Sequence, residues 1–266
     1  MADDVTAFQR STWDRMAATY HEELDPRFAS AVDHLIARAA LGDGERVLDL
    51  GTGTGAVALQ AARLVGPRGH VLGIDLSPEM IRVAGERAAA AGLTNVTFRE
   101  GNAQAIPAPD APVDVVTSSL CLMFVPDRAA AARECARVLR PGGRFVASVW
   151  GAEEHADLLQ MQGIAGRFAS QKPAPGVGPA ALADPAEVLL QLRDAGIEAS
   201  TERTIVEFHY ANLDEGYVTV ARVTSGSTTR EVEAQIRAAI VAEMWPEPAS
   251  PRVLRQELIL IIGWRV

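Results

Sequence analysis

The chain has 266 residues, 48% of them hydrophobic and 22% charged, a balance that suits one substantial globular core and not a disordered tail. Its net charge of −9 argues against a nucleic-acid surface, which needs clustered basic side chains to displace phosphate counterions. The single lysine, Lys172, lies in a stretch rich in Pro, Gly and Ala. A Walker-type phosphate loop is therefore excluded, and a Schiff-base lysine is not expected.

The first residues, "MADDVTAFQR", are acidic and carry no apolar stretch, so no signal peptide is expected. Residues 5–20 and 27–41 read as two helices, the second with Phe28, Val32, Leu35, Ile36 and Ala39 on one face. Short strand-like runs then follow at 46–50, 70–75, 95–100, 113–119 and 144–150, with helical patterns at 56–65, 79–91 and 127–139. This alternation predicts βαβ units, and hence a mostly parallel sheet with helices on both faces. Ser77-Pro78 and Pro126-Asp127 read as helix starts, and "RPGGR" (140–144) as a stop.

After Trp150 the pattern predicts a helix at 153–169, a loop or lid at 170–185 and a helix at 185–195. A strand at 201–210, helices at 214–224 and 229–244, and a last strand at 255–265 complete the chain. The longest apolar run, "LILII", is too short to span a bilayer. Cys121 and Cys135 show no disulfide framework and no metal spacing, so a reduced, cytoplasmic protein without a metal is expected. The expected organisation is a single domain: a helical cap at 1–41, a cofactor-binding core at 42–150, and a second half of the sheet with lid and substrate additions at 151–266.

Within "RVLDLGTGTG", Gly51, Gly53 and Gly55 follow a predicted strand and open a predicted helix, where they allow a tight turn and a close ligand. The same letters satisfy the dinucleotide pattern G-x-G-x-x-A, and a glycine turn without a ligand also explains them. Asp75 in "GIDLSPEM" ends the second strand, where an acid accepts hydrogen bonds from both ribose hydroxyls of an adenosine. Together the two features point to an adenosine-containing ligand. Asp49, two residues before the turn, would repel a pyrophosphate at the helix amino terminus and suits a cationic ligand such as S-adenosylmethionine.

At this point a resemblance is evident. "VLDLGTGTG" and "GIDLSPEM" resemble the first two motifs of class I S-adenosylmethionine-dependent methyltransferases. "FREGNAQAIPAPDAPVDVVTSSL" and "VPDRAAAARECARVLRPGGRFVAS" resemble that family's third to fifth strands, in the small-molecule branch near the ubiquinone/menaquinone enzymes. The resemblance implies a Rossmann-like, seven-stranded sheet. It implies that Gly51, Gly53 and Gly55, with Thr52 in the same turn, line the methionine and ribose portion, and that Asp49 stands close to the amino group. Asp75 would hold the ribose, Leu76 and Met80 would pack on adenine, and Asn102-Ala103 would meet its edge. Ser118, Ser119 and Leu120 would lie beneath the methionine part, and Trp13 and Tyr20 would cover the cofactor.

This chain departs from the family pattern in two places. Asn102 stands where relatives carry Asp; its amide oxygen is still able to accept the adenine amino hydrogen. "SLCLMFV" (119–125) replaces a histidine pair with an apolar wall. Methyl transfer needs alignment and exclusion of water more than it needs a signature residue, and no catalytic constellation stands out. His21 and His155 lie nearest the expected site, His209 on the strand before the later additions is a weaker candidate, and His34 and His70 read as surface or packing residues. Cys121 reads as a small wall residue, and Met161 and Phe168 as lid packing or substrate contacts.

The expected function is methylation of a small, largely apolar organic acceptor at O, N or C, by a monomer or homodimer. Two rivals stand beside it. One is a protein of the same fold that binds the cofactor but catalyses cyclisation, rearrangement or decarboxylation. The other is an NAD-dependent dehydrogenase.

Overall fold

The computed structural model describes residues 2–107, 111–152, 156–169, 174–220 and 229–266. At its centre β1 (Arg46–Leu50) pairs in parallel with β2 (His70–Asp75) and β4 (Val113–Ser119). Outside these lie β3 (Val96–Glu100) and β5 (Leu139–Trp150), both parallel to their neighbours. The last two strands, β6 (Ile197–Tyr210) and β7 (Arg252–Arg265), extend the far edge, with β7 antiparallel to both β5 and β6. The resulting order, β3-β2-β1-β4-β5-β7-β6, is the expected seven-stranded, mostly parallel, Rossmann-like sheet.

Four of the five residues of β1 are fully buried, because helices cover both faces of a central parallel strand. The connecting helices are α3 (Ala56–Val65), α4 (Pro78–Ala90), α5 (Arg128–Val138), α6 (Asp157–Gly166) and α7 (Ala186–Asp194). The short α8 (Leu213–Gly216) continues into a 3-10 turn, and α9 (Arg230–Glu243) precedes β7. Strand order reverses between β1 and β4. In open α/β sheets that switch leaves a crevice beyond the strands' carboxyl ends.

Helix starts follow local chemistry. The Ser77 hydroxyl accepts from the Met80 N–H, and the Asp127 carboxylate from the Ala130 N–H, each satisfying a donor that the first helical turn leaves open.

Several boundaries differ from the sequence-based expectation. The two leading helices, α1 (Ala2–Thr19) and α2 (Asp25–Ala39), are joined without a break by a π-helical turn at Tyr20–Leu24. Pro26 falls in the first turn of α2, where its missing N–H is harmless. "LRPGG" belongs to β5, entering it through a register shift against β4 with Gly142 at φ +71°. The helix expected at 214–224 is described only to Val220, as α8 and its 3-10 turn. Of the lid segment 170–185, residues 170–173 lie outside the described residues, as do 221–228 and His155. The rest of that segment is tied down: the Gly178 N–H donates to the Met123 carbonyl, and Arg128 donates to the Gly176 carbonyl. Among the described residues no helix is long and apolar enough to cross a membrane.

Candidate active site

A cleft of about 770 Å³ lies beyond the carboxyl ends of β1, β2 and β4, under α1. Eleven of the residues expected at the cofactor line it: Trp13, Tyr20, Gly51, Gly53, Asp75, Leu76, Met80, Asn102, Ala103, Ser119 and Leu120. The described lining residues include no Arg, Lys or His.

The three glycines do different work. Gly53, at φ +53°, has open space where a Cβ would stand. Like Gly51 it lines the cleft, and a side chain there would project into free space. Gly51, at φ +68°, is required for another reason: an added Cβ would fall 2.2 Å from the Cys121 sulfur. Gly55 faces away, with Ala84 and Phe98 close around it, and it does not line the cleft. Its expected contact with the cofactor is corrected accordingly.

Asp49 is also repositioned. It is 1% exposed and stands behind the cleft wall, where Oδ2 accepts from the Thr52 hydroxyl at 2.7 Å and Oδ1 from the Thr117 hydroxyl at 2.8 Å. Thr52 is turned inward by that bond and so does not reach the cleft. Ser118 is fully buried beneath the end of β4 and likewise does not line it. Burial pushes the Asp49 carboxyl up to about 6 against the pull of its two hydroxyl partners.

Asp75 does face the cleft. Oδ2 accepts from the Gly53 N–H and Oδ1 from the Ser77 N–H, both at 2.9 Å, and with the Leu76 N–H also close the carboxylate still has acceptor capacity for a ligand. Burial pushes this carboxyl up to about 6 as well, with Asp14 adding to the rise. The glycine turn therefore lies between a buried acid and a half-buried one, and Asp75 adds to the rise at Asp49.

Aromatic rings close the cleft from above. Trp13 meets Phe124 edge-on at 5.1 Å and Tyr20 at 6.0 Å. Tyr20 in turn meets Phe28, which packs on Trp150 and Phe208. Burial and the nearby acids push the Tyr20 hydroxyl upward, and burial pushes the Cys121 thiol up to about 12. Both are neutral at physiological pH. Leu120, a non-glycine residue at φ +52°, holds a left-handed turn at the end of β4 that brings Cys121 against Gly51.

His21 does not reach this cleft. It lies in an outer groove with Asp25, Arg63 and Arg87, its Nδ1 3.6 Å from Asp25. The π turn explains the displacement, since a wider turn shifts the helical phase after Tyr20. In that groove Asp25 accepts from Arg87 at 2.6 Å and from the Thr54 hydroxyl, while Arg87 also donates to the Thr54 carbonyl. The network ties α2 and α4 to the glycine turn. Met161 is fully buried and accepts from the Thr219 hydroxyl, so it is a core residue. Of the apolar wall expected at 119–125, Phe124 lines the cleft whereas Leu122 and Met123 are buried behind it; sequence reasoning missed Thr6 and Gln9. These two stand two helical turns and one turn, respectively, before Trp13, a spacing that could have revealed them.

Comparison with known proteins agrees with this architecture. Residues 41–170 match the family described as a methyltransferase domain. That segment is therefore a methyltransferase domain, an enzyme class whose cofactor is S-adenosylmethionine, as the motifs led one to expect. The chain is 45% identical over 110 residues to an arsenite methyltransferase of Halobacterium salinarum, covering 41% of this chain and 28% of that protein. It is 41% identical over 104 residues to the ubiquinone/menaquinone biosynthesis C-methyltransferase UbiE of Vibrio vulnificus, covering 39% of this chain and 40% of the relative. The match thus spans less than half of either relative's length.

Longer likeness comes from solved structures. YcgJ of Bacillus subtilis superposes with a TM-score of 0.64 at 22% identity, over 89% of this chain and 98% of that one. The [4+2]-cyclase SpnF superposes with a TM-score of 0.58 at 24% identity, over 88% and 80%. At such identities the fold is what is shared.

Proposed function

We propose that the protein transfers a methyl group from S-adenosylmethionine to a small, largely apolar organic acceptor, at oxygen, nitrogen or carbon. The observation that carries this reading is the pair of acids on either side of the glycine turn, Asp49 buried behind it and Asp75 half-buried at the cleft wall, both held above the usual carboxylate range. Such a pair disfavours a pyrophosphate and favours a ligand whose charge there is positive. The residues fit the cofactor: Gly53 leaves its backbone open, Asp75 keeps acceptor capacity for a diol, and Leu76 and Met80 offer an apolar face for a base.

Bound in this cleft, S-adenosylmethionine supplies an electrophilic methyl group on a sulfonium sulfur. The chain's own part is alignment and dryness. Trp13, Tyr20 and Phe124 exclude water from the cleft, and Asp75 fixes the ribose end. Neither Tyr20 nor Cys121 is ionised at neutral pH, so neither serves as a base there. The apolar wall of Leu120, Phe124 and Val125 suits an apolar acceptor. The same wall, and a fold shared with a cyclase, support the second reading, in which the bound cofactor assists a cyclisation or rearrangement.

Calorimetric titration tests the first reading. Micromolar binding of S-adenosylmethionine and S-adenosylhomocysteine, lost in Asp75→Ala and absent for NAD⁺, is the expected result. No binding by the intact protein overturns it. Formation of S-adenosylhomocysteine in equal amount with a methylated product then separates transfer from the cyclase-like alternative.

A further inference from the structure

Asn102 is the residue expected to accept a hydrogen bond from the amino group of a bound adenine. The geometry denies it that role. Its Oδ1 already accepts from the Gln104 backbone N–H at 2.9 Å and from the Gln104 side-chain amide at 3.2 Å. An amide oxygen has two acceptor positions, and both are used. The amide cannot be turned over, because a backbone N–H has to be met by an oxygen. Gln104 is itself held, its own oxygen accepting from the Asp127 N–H at 2.9 Å. Asn102 therefore offers a ligand only its N–H₂ donors, and an exocyclic amino group finds no acceptor on it.

A free acceptor is found on the covering helix. Gln9, on α1, lines the same cleft, is 3% exposed, and its side-chain oxygen has no hydrogen-bond partner. An unmet buried acceptor is unfavourable, and a ligand donor relieves it. Two contacts fix where this turn of α1 sits. Arg10 pairs with Glu100, the last residue of β3, at 2.8 Å, immediately before Gly101 and Asn102. One turn later Asp14 accepts from the Ser77 hydroxyl at 2.6 Å, beside the end of β2. Gln9 thus stands over the end of the cleft formed by Leu76, Met80, Asn102 and Ala103, beyond Asp75 from the glycine turn.

We propose that Gln9, reaching down from the covering helix, is the residue that recognises the 6-amino group of the cofactor's adenine, while Asn102 donates to a ring nitrogen. The proposal rests on the cofactor reading above. It makes α1 a specificity element: the helix completes the base site as well as covering it. Without Gln9 the site still holds a purine but no longer tells whether that purine carries an amino group.

The test uses S-adenosylhomocysteine and its 6-deamino analogue, which has unsubstituted purine in place of adenine, titrated into the intact protein, Gln9→Leu and Asn102→Ala. The intact protein is expected to bind the deamino analogue about tenfold more weakly, the size of one neutral hydrogen bond. Gln9→Leu is expected to bind the two ligands equally. Asn102→Ala should weaken both and keep the tenfold ratio. Far-UV circular dichroism checks that each variant is folded, and Gln9→Met repeats the comparison if Gln9→Leu is not. The proposal is overturned by an intact protein indifferent to the amino group, by a Gln9 variant that keeps the ratio, or by an Asn102 variant that loses it. Failure of the intact protein to bind S-adenosylhomocysteine at all is a different result and removes the cofactor reading itself.

Discussion

Asp49→Asn gives the most direct access to the field at the glycine turn. An acid whose folded pKa is raised from 3.8 to about 6 holds its proton more tightly folded than unfolded. Stability from this group is therefore complete below pH 4, falls as pH rises through 4 to 6, and stays reduced above 6. The full reduction is at most about 3 kcal/mol, at 1.36 kcal/mol per pK unit. Asparagine removes the charge and keeps the shape. Its oxygen continues to accept from Thr52, and its N–H₂ donates to the Thr117 hydroxyl, whose own proton turns to the Leu48 carbonyl 3.5 Å away. The charge assistance of the two hydroxyl bonds is already contained in the shifted value, so what is lost besides is the rearranged and longer Thr117 contact, roughly 1 kcal/mol. A net gain of about 1–2 kcal/mol at pH 7.5 remains, or about 3–6 °C in Tm for a chain of this size. Differential scanning calorimetry at pH 5 and pH 7.5 should show the variant's advantage growing with pH. Its affinity for S-adenosylmethionine should fall more than for the neutral S-adenosylhomocysteine. A variant less stable than the parent at pH 7.5, by a margin independent of pH, would refute the reasoning and make Asp49 an ordinary hydrogen-bonded anchor.

Two further perturbations separate roles that the motif runs together. Gly53→Ala meets no atom and faces only left-handed backbone strain of about 1–2 kcal/mol, so Tm should drop by a few degrees while titration shows cofactor binding lost. Gly51→Ala adds to the same strain a collision with Cys121 and should unfold at a markedly lower temperature; adding Cys121→Ala should recover part of the loss, not all. Asp25→Ala leaves Arg87, a quarter exposed, without its carboxylate and frees Thr54. A loss of about 2–4 kcal/mol in denaturant unfolding is expected, with weaker cofactor binding because the glycine turn is no longer tied to α2.

The sheet was legible because its signals are local. Runs such as "RVLDL", "HVLGID" and "VDVVTSS" are apolar stretches closed by turn residues, and they coincide with β1, β2 and β4. Lining residues near the ends of those strands followed from the order of motifs alone. What escaped were relations across the sheet or across a helix. That Asp49 is met by Thr117 depends on the pairing of β1 with β4, 68 residues away in the chain. That His21 swings out of the cleft depends on a π turn for which the sequence carries no pattern. That Asn102 is already saturated depends on the conformation of the short turn to Gln104. In each case the residue type was read correctly and its free valences were not.

The same distinction bears on how the ligand is chosen. A glycine turn before a helix serves phosphates and sulfonium cofactors alike; here Gly51 and Gly53 both line the cleft, Gly51 with Cys121 where a Cβ would stand, while Gly55 is enclosed by Ala84 and Phe98. The turn therefore makes room without stating the charge of its guest. Charge is set by what the surrounding strands hold behind and beside it, and placing two carboxylates there, one buried and one half-buried, makes the folded chain less stable at neutral pH than uncharged side chains would. Such an arrangement is understandable if a bound cation repays it, because the ligand then gains from a field that the empty fold maintains at its own expense.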